Sequence, residues 1–184
     1  MLKSIARKVF NTFGYEIKKK NVRDMFTIRQ SFEDALIHIR ATGFFPDLII
    51  DVGAADGTPP LQNVFPQSRF FWIEPLQEFE PALKNLQQKL KGDYAITAVG
   101  RNEGSFVLNV HKDLHGSTMF NETDGEIADG TPREIPVTTL DKLSVVHNWK
   151  QYNKILLKAD VQGFELEVLD GAKRYSWQCG CHHS

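Results

Sequence analysis

The chain has 184 residues, 41% of them hydrophobic and 24% charged, with a formal net charge of −1. That balance fits a soluble globular domain, and it excludes a disordered segment, a collagen-like fibre and a membrane-embedded bundle. No apolar run approaches the roughly 18 residues needed to cross a bilayer, and the only cysteines, Cys179 and Cys181, stand too close together to build a disulfide framework.

With no signal-peptide pattern at its start, the chain is expected in the cytoplasm. Its small net charge conceals an asymmetry. Residues 1–23 carry Lys3, Arg7, Lys8, Lys18, Lys19, Lys20 and Arg23 against Glu16 alone, a net +6. The remainder carries 15 basic and 22 acidic side chains, a net −7, which argues against nucleic acid as a partner.

In chain order, Leu2, Ile5, Ala6, Val9 and Phe13 share a helical face. The segment reads either as a packing helix or as an interfacial helix giving weak contact with anionic membranes through residues 1–23. Ser31 predicts a helix start, with Phe32, Leu36 and Ile39 recurring at helical spacing until Gly43. Leu48–Val52 predicts a buried strand, and a short helix follows at Pro59 or Pro60. Arg69–Glu74 predicts a second strand, residues 78–91 a helix, and Tyr94–Val99 a third strand.

Ser105–His111 predicts a further strand, followed by a polar loop over residues 112–134 that is long enough to suggest function. Ile135–Val137 resumes a strand, Leu140–Val146 predicts a helix, Lys154–Ala159 a fourth buried strand, and Gly163–Ala172 a last helix. Strands alternating with helices predict an α/β fold with a parallel sheet.

Ligands of such sheets bind beyond the carboxyl ends of the strands. There the sequence places Asp51-Val52-Gly53-Ala54-Ala55-Asp56-Gly57 after the first strand and Glu74 at the end of the second. Gly53 and Gly57 permit tight turns and a close ligand, and a terminal carboxylate can accept from both hydroxyls of a ribose. The dinucleotide glycine fingerprint and the P-loop lysine are absent, which disfavours a nicotinamide oxidoreductase. A nucleoside without pyrophosphate fits better. S-adenosylmethionine qualifies, its ribose at Glu74 and its ammonium near Asp51. Alternatively, Asp51 and Glu74 merely cap turns. After the fourth strand, Asp160 and Gln162 stand at the strand mouth, beside Gly53 if that strand neighbours the first. Lys158 shares a face with Asp160, and the two could simply pair.

The segments IIDVGAADG, FFWIEP, AITAVG, VTTLDKL and LLKADVQGFELEVLDGA over residues 45–173 resemble the FkbM-type methyltransferases, a class I S-adenosylmethionine-dependent family. The resemblance implies a Rossmann-like sheet with helices on both faces. It implies a methionine-side loop of Asp51, Gly53, Ala54, Asp56 and Gly57, a ribose site at Glu74, and an adenine site at Val99 and Gly100. It also puts Asp160 and Gln162 beside the transferred methyl.

The implied reaction is O-methylation of a sugar, polysaccharide or secondary metabolite, with Asp160, His111 or His115 as candidate general base. No metal site is expected, because neither H-x-x-x-H nor C-x-x-C spacing occurs in the body and the terminal Cys and His residues are crowded. Residues 175–184 depart from the family pattern, so the sheet is expected to be incomplete at its C-terminal side. The divisions are a basic segment, 1–26, a partial methyltransferase domain, 27–174, and an atypical tail, 175–184. The competing reading is an inactive fragment or nucleoside-binding module that keeps the cofactor loop.

Overall fold

The computed structural model describes residues 31–110 and 130–173. The basic N-terminal segment, most of the polar loop with His111 and His115, and the tail with its cysteines lie outside the described residues. Helix α1 (Phe32–Ala41) starts as its sequence dictates, because the Ser31 hydroxyl accepts from the Asp34 amide at 3.1 Å. Strand β1 (Leu48–Val52) is buried along its whole length. Helix α2 (Pro59–Val64) has proline in its first turn, where no amide partner is lost.

Strand β2 (Arg69–Glu74) leads through a short 3₁₀ turn (Gln77–Phe79) into α3 (Glu80–Lys89), and β3 (Gly92–Ile96) follows. These strands and β7 (Ile155–Ala159) form one parallel sheet in the order β3-β2-β1-β7. Alternate residues of β1 serve opposite faces. Ile49 packs with Leu36, Leu61 and Leu83 from α1, α2 and α3. Leu48, Ile50 and Val52 pack with Leu140 and Leu143 of α4 (Leu140–Val146), with Trp149, and with Val168 of α5 (Glu165–Asp170). Helices therefore cover both faces, which is why β1 and β2 are apolar on both sides over Leu48–Ile50 and Phe70–Ile73.

The structure corrects three boundaries. The strand expected over 94–99 breaks at Thr97, whose amide donates to the Glu74 carbonyl at 3.0 Å and whose hydroxyl donates to the Pro136 carbonyl at 3.0 Å. Beyond the break, β4 (Ala98–Val99) joins a second sheet, order β4-β6-β5, with β5 (Gly104–Val110) and β6 (Thr131–Thr138). The polar loop accordingly ends earlier than residue 134, because Thr131–Glu134 pair antiparallel with Val107–Val110. The last helix is shorter than 163–172, running over Glu165–Asp170, with Glu165 Oε1 accepting from the Val161 and Gly163 amides ahead of it.

Candidate active site

The site begins where β1 ends. Gly53 has φ +69, and a Cβ there would lie 2.1 Å from the Asp160 carbonyl oxygen, so neither the conformation nor the space admits a side chain. The Gly53 and Ala54 amides both donate to the Ile73 carbonyl, at 3.0 and 3.1 Å. One residue further, Ala55 adopts φ +46 and gives its amide to Glu74 Oε2 at 2.9 Å, while Glu74 Oε1 accepts from the Leu76 amide at 3.0 Å. Glu74 thus joins the loops after β1 and β2, and each carboxylate oxygen keeps a lone pair for a further donor. Burial pushes its carboxyl above the ordinary range, and the two amides oppose that shift.

These loops bound a cavity of about 850 Å³, open mouth included, at the carboxyl ends of the parallel strands. Gly53, Glu74, Val99, Asp160 and Gln162 all line it, so the structure brings these predicted residues together. The opposite wall is apolar, with Leu76 and Phe79 after β2 and Phe106 and Leu108 from β5. Sequence reasoning missed that wall. Its only signal was the alternation of Phe106, Leu108 and Val110, which marks the inward face of a strand without saying what the strand faces.

Other predicted residues stand apart from the cavity surface. Ala54 is buried in the core beneath α1–α3, Asp56 is exposed, and neither they nor Gly57 line the cavity. Gly100 lies behind the wall, where a Cβ on Gly171 would come within 2.2 Å of its carbonyl oxygen.

Asp51 is fully buried and does not line the cavity. The ammonium nearest it belongs to Lys158, with Nζ 3.0 Å from Asp51 Oδ1, an ion pair in which neither carboxylate oxygen receives a well-aimed hydrogen bond. Burial is the largest influence on Asp51 and raises its carboxyl; the Lys158 ammonium pulls the other way. Lys158 also donates to the Gly53 carbonyl at 2.8 Å and stands 3.8 Å from Asp160 Oδ2. Asp160 itself is 69% exposed at the mouth, and its amide donates to the Val52 carbonyl at 3.1 Å. Gln162, at φ +52, is held by Glu165, whose Oε1 accepts from the Val161 and Gly163 amides at 3.3 and 3.1 Å. Its own backbone amide first, then those of Gly163 and Val161, hold the Glu165 carboxyl below its ordinary range.

Among the described residues, no three metal-ligating side chains gather, and no helix is long and apolar enough to cross a membrane. Comparison with curated proteins found no match, and comparison with solved structures found none either. The family model described as Methyltransferase FkbM domain matches residues 51–182, starting at Asp51 and running beyond the end of the motif resemblance. The parallel sheet with helices on both faces is consistent with a Rossmann-like methyltransferase fold. With its glycine loop, its strand-end carboxylate and the cavity between them inside the matched span, the chain belongs to the FkbM methyltransferase domain family.

Proposed function

We propose that the cavity binds S-adenosylmethionine and that the protein methylates a hydroxyl of a sugar, polysaccharide or secondary metabolite. The observation that carries this reading is Glu74. Its carboxylate lines the cavity, each oxygen already oriented by one backbone amide and able to accept from one ribose hydroxyl. The apolar wall of Leu76, Phe79, Phe106 and Leu108 suits an adenine ring, and the backbone at Gly53 is open to close approach. The residues present therefore fit the cofactor.

When bound, the sulfonium supplies an activated methyl group. The chain's part is to hold the acceptor oxygen in line, exclude water and accept a proton. Asp160, exposed at the mouth, is the described residue placed to take the hydroxyl proton as the new C–O bond forms and the S–CH₃ bond breaks. His115 remains a second candidate base, outside the described residues.

Calorimetric titration with S-adenosylhomocysteine tests the cofactor assignment. Glu74→Ala should cost about 1.5–3 kcal/mol of affinity, the range for hydrogen bonds to a charged group. Unchanged affinity in a folded variant overturns the ribose assignment. Asp160→Asn should keep cofactor affinity and lose roughly 10²–10⁴-fold in turnover on an accepted hydroxyl. Binding without turnover across a panel of sugar and small-molecule alcohols would favour a nucleoside-binding module.

A further inference from the structure

We infer that Lys158 is a positioning residue for the cofactor loop: its ammonium latches the Gly53 carbonyl, and Asp51 is the buried counter-ion that holds the ammonium in place. The inference rests on reading the cavity as the S-adenosylmethionine site. Lys158 Nζ lies 2.8 Å from the Gly53 carbonyl, 3.0 Å from Asp51 Oδ1, 3.5 Å from the Val52 carbonyl and 3.8 Å from Asp160 Oδ2. A lysine suits this point, because three rotatable donors on a flexible stem can serve acceptors arriving from different directions.

The Gly53 contact has a consequence that a simple ion pair lacks. The Gly53 carbonyl and the Ala54 amide belong to one planar peptide unit. Lys158 holds the oxygen end of that plane and the Ile73 carbonyl holds the N–H end. The next amide, that of Ala55, is joined to this plane through Ala54 alone and reaches Glu74 on the cavity wall. A chain of bonds thus runs from β7 through Lys158 to the carboxylate assigned to the ribose. Asp51 lines no part of the cavity, and its visible role is to offset a largely buried charge.

Stability and positioning separate in a pair of variants of the full 184-residue chain. Lys158→Met leaves Asp51 buried without its counter-ion, so it should melt lower, bind S-adenosylhomocysteine at least about tenfold more weakly, and exchange the Ala54 and Ala55 amides faster. Asp51→Asn combined with Lys158→Met removes both charges, a change that buried pairs often tolerate. In that double variant the melting temperature should recover. Affinity and amide protection should not, because the Gly53 carbonyl still lacks its donor.

Recovery of affinity and protection together with melting temperature would overturn the proposal. So would unchanged protection at Ala54 and Ala55 in either variant. If Lys158→Met alone does not fold, the double variant carries the comparison. If the unaltered protein binds no S-adenosylhomocysteine, the cofactor reading fails, while amide exchange still decides whether the latch exists.

Discussion

Glu74 combines burial with two backbone donors, and the balance has a definite sign. Its carboxyl is raised from the ordinary value of 4.5, with burial the largest cause. A raised group contributes stability fully below its unfolded-state pKa and loses it as pH rises through the folded pKa. Glu74→Gln cannot titrate, so the stability of the unaltered protein relative to this variant should fall as pH rises above 4.5. Urea unfolding at several pH values measures this, and a flat or rising difference contradicts the shift.

At Gly53 the constraint is steric. Gly53→Ala would put a methyl 2.1 Å from the Asp160 carbonyl oxygen at φ +69, costing roughly 2–5 kcal/mol through strain and overpacking together. Thermal melting should show it, and a variant within about 0.5 kcal/mol of the parent would mean the two strand ends are not in contact. Both residues were legible in the sequence, since a glycine after a strand and an acid at a strand end carry their own reasons. The partner of Lys158 was not. Asp160 was its neighbour in sequence, whereas Asp51 faces it only because β7 lies beside β1 in register.

Elements were legible wherever apolar period and end signals agreed. β1 and β2 carry the apolar runs Leu48–Ile50 and Phe70–Ile73, and α1 carries its Ser31 cap. Thr97 defeated the period. The residues around it read as one strand because both flanks are apolar, and the break depends on bonds to Glu74 and Pro136 far away in the chain. The start of β6 was missed because Thr131–Glu134 are polar and read as loop, yet they pair with β5 in the same ladder as Ile135–Val137.

Gly171 at the end of α5 shows how elements set the wall from behind. Its φ of −79 is ordinary, so the requirement there is space. Gly171→Ala would bring a methyl to 2.2 Å from the Gly100 carbonyl oxygen, beside Val99 on the cavity wall. It should cost about 1–3 kcal/mol of stability and also weaken cofactor binding. A variant that loses stability with unaltered affinity would detach α5 from the site.

Taken whole, the molecule sets its cavity between two sheets: β1, β2 and β7 supply the polar side, and β5 supplies the apolar side. Saturating S-adenosylhomocysteine should therefore slow amide exchange in the loops after β1 and β2 and also in β5, while α1 is unaffected. Protection confined to the parallel sheet would place the ligand elsewhere.

The same layout imposes an order in time. The loop after β1 is finished only when β7 arrives, and Gly53 and Lys158 are separated by 105 positions in the chain. Contacts that distant form slowly, because the intervening chain must lose its freedom before the contact rewards it. Local helices and the β1–β2–β3 neighbours can assemble earlier, without a complete pocket. During refolding, helical signal should accordingly return before the capacity to hold the cofactor, and on the ribosome that capacity should be acquired only after the last described strand has left the exit tunnel.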